Sequence, residues 1–341
     1  CMKILAKKDL LNVLKNWSGS YDVFAPGIKE TGDTIFDCFD ENTFTLDYGK
    51  PPLPQKSEVF PQNEIIFELK NGEYREVITG NEKMIFGMRA CDVMGMRQAS
   101  SFMTRGDVTD PYCKSKEEGV LKVIMACAGP QSETCFCTTV GSGPFAEKGF
   151  DLQFYDMGDE FLVEAGSERG GNLIVKGPFL EIDDAEARTR IDEFKIKASN
   201  SVEEMPALKE AMNRLRDGSV SEEVWEHFGR KCIVCGGCAF VCPTCTCFNV
   251  SDYVTKPGEG LRVRSWDACL FGGFTRETSG HNPRGSQALR LKRRHEHKLL
   301  YYNETDIQDG LCGCVGCGRC SDYCPVHIGT LEVVKAIAEA R

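Results

Sequence analysis

The apolar positions follow helical spacing in some stretches and strand spacing in others. Leu10, Leu11, Val13, Leu14 and Trp17 recur every three to four residues between Asp9, an N-cap candidate, and Gly19, which predicts one amphipathic helix with a packing role. Tyr21 to Ala25 reads as a strand, and Pro51, Pro52, Pro54 and Pro61 as a loop or an ordered surface strap without chemistry. Met84 to Met88 and Val120 to Met125 are short apolar runs of the kind that form buried strands; the first ends at Arg89-Ala90-Cys91-Asp92 and the second at Ala126-Cys127. Asp92 is placed to cap a following helix with Val93, Met96 and Phe102 on it, the strand-to-helix order of an α/β domain. Leu152 and Phe154, then Phe161 and Val163, alternate around Asp156-Met157-Gly158-Asp159 and predict an antiparallel hairpin.

Beyond residue 183 the pattern turns helical. Ile191 and Phe194 belong to one segment; Ser201 and Glu204 form a capping-box pattern ahead of Leu208, Met212, Leu215 and Gly218; Val224, Trp225 and Phe228 mark a third helix. The expected organisation is α+β: a mixed α/β domain over residues 1–200, then a helical dicluster ferredoxin-like domain over 201–341.

Composition narrows the function. A chain of 341 residues with 41% hydrophobic content folds around one large core or two smaller ones, and a net charge of −10 disfavours nucleic acid as a partner. No apolar run is long enough to span a membrane and no secretory pattern is visible, so a cytoplasmic protein is expected. The 19 cysteines change the picture most: twelve of them fall between Cys232 and Cys324, and in a chain of this size they point to metal rather than to disulfides.

Cys232-Ile-Val-Cys235-Gly-Gly-Cys238, continued by Cys242-Pro243, has the run by which ferredoxins hold iron–sulfur clusters, and Cys314-Val-Gly-Cys317-Gly-Arg-Cys320, continued by Cys324-Pro325, repeats it position for position. In such runs the fourth cysteine ligates the other cluster. Cys232, Cys235, Cys238 and Cys324 are therefore assigned to one 4Fe–4S cluster, and Cys314, Cys317, Cys320 and Cys242 to a second. Zinc knuckles pair two-cysteine units instead, which disfavours zinc. The 72 residues from Cys242 to Cys314 are too many for a compact two-cluster ferredoxin and point to a helical dicluster domain.

Four earlier thiols, Cys91, Cys127, Cys135 and Cys137, read either as ligands of a third 4Fe–4S cluster or as buried core cysteines; the cluster is favoured, because two of them end adjacent strands where α/β sheets place ligands. Cys245, Cys247 and Cys269 are left over, as a further metal site or, preferably, as packing against the clusters. Cys312 lies outside the regular run, and Cys1, Cys38 and Cys113 are bystanders. Residues 256–300 hold ten Lys or Arg against four acids, which reads equally as a docking face for an acidic partner, as screening of cluster charge, or as a solvated helix face around Arg290 to Lys298. His295 and His297 are too close together for a helical zinc pair and are expected at the surface, and His281 in an ordered turn. Gly141-Ser142-Gly143-Pro144 is only half of a dinucleotide loop, so no flavin or nicotinamide site is expected.

Met88-Arg89-Ala90-Cys91-Asp92, Cys135-Phe136-Cys137, Cys242-Pro243-Thr244-Cys245-Thr246-Cys247-Phe248, Ser279-Gly280-His281-Asn282 and the second ferredoxin run, in this order from about residue 20 onward, resemble the family of anaerobic sulfite reductase A subunits and hydrogenase beta subunits. The resemblance implies an iron–sulfur electron-transfer subunit between a flavin-containing NAD(P)H- or ferredoxin-linked partner and a catalytic hydrogenase, sulfite reductase or heterodisulfide-reductase-type partner. The competing expectation is a self-contained iron–sulfur reductase acting on a small sulfur substrate, against which the lack of a readable catalytic cofactor motif counts. No catalytic residue is assigned from the sequence.

Overall fold

The computed structural model describes residues 2–80, 82–302 and 313–340. The chain begins with β1 (Met2–Ala6), α1 (Leu10–Ser18), β2 (Asp22–Ile28) and β3 (Thr34–Cys38), and continues after the proline-rich segment with β4 (Asn63–Lys70) and β5 (Glu73–Glu76). Next come β6 (Lys83–Met88), α2 (Ala90–Thr104), α3 (Pro111–Gly119), β7 (Val120–Met125), β8 (Leu152–Asp156), β9 (Glu160–Ala165), α4 (Glu168–Val175), β10 (Leu180–Glu181) and α5 (Asp184–Asn200). Eight of these strands form one sheet in the order β10-β1-β9-β8-β7-β6-β2-β3. Its centre, β2, β6, β7 and β8, is parallel, and the flanking pairs are antiparallel.

Helices cover both faces, which is why β6 and β7 read as continuous apolar runs. Leu10, Val13, Leu14 and Trp17 of α1 pack with Phe86, Val123 and Phe154 on one side, while Val93, Met96 and Met103 of α2 pack with Ile85, Met88 and Ile124 on the other. Lys122, the charge inside β7, is buried and neutralised by Glu117 at 2.5 Å. The hairpin read from the sequence is β8 with β9.

The helical end contains α6 (Ala207–Asp217), α7 (Glu222–Lys231), α8 (Gly237–Phe240), α9 (Gln287–Glu296), α10 (Arg319–Asp322) and α11 (Thr330–Glu339) around Trp225, Phe228, Leu291, Leu299, Val333 and Ile337. The fold is thus mixed α and β with a helical cysteine-rich end. Between α8 and α9 lies a hairpin that the cysteine spacing does not reveal, β11 (Phe248–Lys256) and β12 (Glu259–Trp266). It builds a second sheet, β11-β12-β4-β5, by pairing β12 with β4 from the first hundred residues. Among the described residues no helix is long and apolar enough to cross a membrane.

Three local expectations are corrected. Helix α2 starts at Ala90 with Arg89 as its N-cap, so Asp92 sits inside the first turn with its carboxylate free for another partner. Ser201 does not open a helix: its hydroxyl donates back to the Ala198 carbonyl at 2.7 Å at the end of α5, and Pro206 precedes α6. His295 is fully buried and His297 half-buried, because Leu291, His295 and Leu299 recur every four residues on the inner face of α9 and its continuation.

Candidate metal centres

The two ferredoxin runs share a backbone. Val234 and Gly236 in the first, like Gly316 and Gly318 in the second, have positive φ between 58° and 72°, and each run leads into a four-residue helix, α8 or α10. Glycine takes this conformation freely, which accounts for three of the four positions. Close approach adds a second reason in the later run: a Cβ on Gly316 would lie 2.7 Å from the Phe136 backbone, and one on Gly318 2.0 Å from Thr134 Oγ1.

The runs face each other in crossed fashion. Cys238 lies within electrostatic reach of Cys232 and Cys324 and also of Cys320, whereas Cys317 has Cys242 and Cys320 around it. The fourth cysteine of each run thus has at least one cysteine of the other run within electrostatic reach. Most of these sulfurs accept N–H groups: Cys232 from Gln287 Nε2 at 3.2 Å, Cys314 from the Gly316 amide at 3.5 Å, Cys320 from the Thr330 amide at 3.3 Å and Cys324 from the Ile328 amide at 3.4 Å. Donors aimed at sulfur are the surroundings of metal-bound thiolates, whose charge and potential they tune.

Two buried cations complete these surroundings. Lys298, 3% exposed, places Nζ 2.9 Å from Cys242 Sγ and 2.8 Å from Thr244 Oγ1. Burial alone would push this ammonium toward neutrality, but Cys242 and Cys245 hold its pKa well above the usual lysine value. Arg294, equally buried, donates to the Cys238 carbonyl at 3.0 Å and to Thr330 Oγ1 at 3.2 Å. Of the three readings of the basic segment, the solvated face fails for these two residues, because they occupy the buried side of the helix. The His281 turn is ordered as expected, with Asn282 Nδ2 donating to the Gly272 carbonyl at 2.7 Å.

The four earlier cysteines also converge. Cys91, Cys127, Cys135 and Cys137 line one small pocket together with Lys50, Arg89, Gly143 and Cys317. Cys91 follows β6 and Cys127 follows β7, so the parallel strands deliver two sulfurs at their carboxyl ends, the usual ligand position of such sheets. Burial raises the Cys91 and Cys127 thiols, and pushes Cys137 up to about 12. Without a metal these thiols stay protonated; a bound iron centre deprotonates them outright. The half dinucleotide loop is a wall of this cavity, since a Cβ on Gly143 would lie 3.1 Å from Cys137 Sγ.

The cavity is fastened to the second ferredoxin run. Arg319 makes a bidentate pair with Asp92, Nη1–Oδ1 2.7 Å and Nη2–Oδ2 2.9 Å, with both side chains buried, and its Nε donates to the Pro51 carbonyl at 2.8 Å. The Phe136 amide donates to the Gly316 carbonyl at 2.8 Å. Lys50 reaches Cys135 Sγ at 3.5 Å, Asp322 at 2.6 Å and the Cys317 carbonyl. The proline-rich strap was expected to lack chemistry, and this is corrected: it delivers Lys50, and further on a fully buried Lys56 whose Nζ donates to the Cys245 carbonyl at 2.7 Å. A lysine between prolines reads as a surface residue, and only tertiary packing reveals its charge among sulfurs.

The donor set fits iron–sulfur clusters. Among the described residues no three His, Cys, Asp or Glu side chains close around a single ion, whereas the cubane of a cluster sets its thiolates farther apart than zinc does. Cys113 is buried and Cys38 exposed, while Cys1 and Cys312 lie outside the described residues. Fold and cysteine runs together define an iron–sulfur electron-transfer subunit of the oxidoreductase class.

Known proteins carry this further. Residues 231–328 match the 4Fe-4S dicluster domain. The sulfhydrogenase 2 subunit beta of Pyrococcus furiosus is 30% identical over 296 residues, covering 86% of each chain. The F420-dependent formate dehydrogenase subunit beta of Methanocaldococcus jannaschii is 24% identical over 313 residues, 87% of this chain and 59% of that protein. No solved structure matches the chain. The chain belongs to the family of hydrogenase beta subunits represented by the Pyrococcus sulfhydrogenase protein.

Proposed function

We propose that the chain relays electrons through three 4Fe–4S clusters within a multisubunit oxidoreductase. Cys232, Cys235, Cys238 and Cys324 hold the first, Cys314, Cys317, Cys320 and Cys242 the second, and Cys91, Cys127, Cys135 and Cys137 the third. Residues 1–200 supply the third site and residues 201–341 the ferredoxin pair. The observation that carries this reading is the position of Cys317, which lines the cavity of the four earlier cysteines while standing beside Cys242 and Cys320. One residue thus joins the second and third sites. The other end of the series meets the surface at Cys235, which is exposed beside the exposed Ile233.

Each cluster supplies one-electron chemistry when bound; the chain's own residues hold it, donate N–H groups to its ligands and offset its charge. The partners are a flavin-containing NAD(P)H- or ferredoxin-linked subunit on one side and, on the other, a catalytic subunit of hydrogenase, sulfite reductase or heterodisulfide-reductase type, in the cytoplasm. Iron and acid-labile sulfide per chain after anaerobic purification test the reading. About twelve iron supports three clusters, about eight removes the third, and zinc without sulfide refutes the relay. Crossed ligation predicts that Cys242→Ser and Cys320→Ser damage the same cluster and Cys324→Ser the other. If Cys242→Ser spares the cluster of the second run, the assignment is wrong.

A further inference from the structure

Three cysteines remain outside these sites, and the β11–β12 hairpin gathers them. Phe248 pairs with Trp266, and one step beyond the strand ends the Asp267 amide donates to the Cys247 carbonyl at 3.0 Å. That register carries Cys269 back to Cys247, and the two side chains pack together in the helical core, each thiol in the other's immediate surroundings. Cys245 precedes Cys247 by two residues, and between them Thr246 Oγ1 meets Tyr302 Oη at 3.2 Å. Cys245 in turn stands beside Cys242. The sulfurs form a line from Cys269 through Cys247 and Cys245 to Cys242. Lys56 fixes its middle, with Nζ on the Cys245 carbonyl and 4.2 Å above the Trp266 ring.

We infer that Cys247 and Cys269 are a redox-active pair, a dithiol that closes to a disulfide and exchanges electrons with the neighbouring iron–sulfur cluster. The inference rests on the reading that Cys242 ligates that cluster. On oxidation the two S–H bonds break and one S–S bond forms. Two protons would pass to water at the half-exposed Cys247, and two electrons would leave one at a time past Cys245 to the cluster that Cys242 would hold, the first moving on to the next carrier before the second arrives. Reduction runs the same steps backward. The pair couples a two-electron, two-proton store to one-electron carriers, a task that packing thiols do not perform. What the step requires is that the two thiols stand side by side, and the β11–β12 register with the shared core packing places them so.

The test uses the full chain with its clusters, purified anaerobically and equilibrated in thiol–disulfide buffers of graded potential, then quenched in acid, alkylated with iodoacetamide and mapped by peptide mass spectrometry. The expected result is one cross-linked Cys247–Cys269 peptide that converts to two alkylated peptides as the buffer becomes more reducing, with iron and sulfide per chain unchanged. A reductive titration should take about two electrons per chain more in the wild type than in Cys269→Ser. Singly alkylated Cys247 and Cys269 at every potential would overturn the inference, as would loss of about four iron per chain in Cys247→Ser or Cys269→Ser, which makes them ligands. Low iron in the unsubstituted chain is a separate outcome and counts against the cluster reading itself.

Discussion

Replacing Lys298 by methionine removes a buried positive charge 2.9 Å from Cys242 Sγ while keeping the length of the side chain. A reduced cluster carries one more negative charge than an oxidised one, so the ammonium favours the reduced form. Two unit charges 4 Å apart at an effective dielectric of 20 interact by about 4 kcal/mol. Spreading the added electron over a whole cluster roughly halves this, to about 2 kcal/mol, which for a one-electron couple is about 90 mV. The charge-assisted hydrogen bond to sulfur, worth about 1.5–3 kcal/mol, is of the same order. The assay is a redox titration followed by EPR on wild type, Lys298→Met and Lys298→Arg, with iron counted in each. One cluster should fall by about 90 mV in the methionine variant, retain most of its potential in the arginine variant, and leave the others in place. An unchanged potential in Lys298→Met at full iron content, or an equal fall in every cluster, refutes the argument.

Asp92→Ala leaves Arg319 charged and buried without its partner, and should cost about 3–5 kcal/mol in denaturant unfolding, with release of iron from the Cys91 group before the other sites. Val234 holds a left-handed φ of 60° that a β-branched side chain resists, so Val234→Gly should stabilise the chain by about 1 kcal/mol in the same assay without changing iron content. Burial, followed by the charge of Arg294, lowers the pKa of His295 from 6.5 to about 3. The unfolded chain therefore binds a proton that the folded one refuses between these values, and stability falls as pH drops below 6.5. His295→Phe removes this loss, up to about 1.4 kcal/mol per pH unit, and urea titrations of both proteins at neutral and mildly acidic pH measure the difference.

What was legible in the sequence followed spacing. The two cysteine runs stand at fixed intervals set by local backbone, so their equivalence is visible without a fold, and strands buried on both faces announce themselves as apolar runs ending at Cys91 and Cys127. What was not legible depended on long-range packing. Arg294, His295 and Lys298 look solvated because they are polar, although Leu291, His295 and Leu299 carry a buried-face period that marks which side turns inward. Lys50 and Lys56 gave no such signal, since a proline-rich segment has no repeat that states which residues face the core. The pairing of β12 with β4 joins residues almost two hundred positions apart and follows from no local pattern.

That pairing also dictates when the protein can be finished. Neither the second sheet nor the wall that Cys317 contributes to the earlier cysteine cavity exists until the last quarter of the chain has been synthesised. Contacts of such sequence separation form late. Residues up to 200 carry Cys91, Cys127, Cys135 and Cys137 but not Cys317, so that side of the pocket is supplied from the far end of the chain. The pocket encoded first is thus completed by the part of the chain made last, and Arg319 opposite Asp92 is the latch between them.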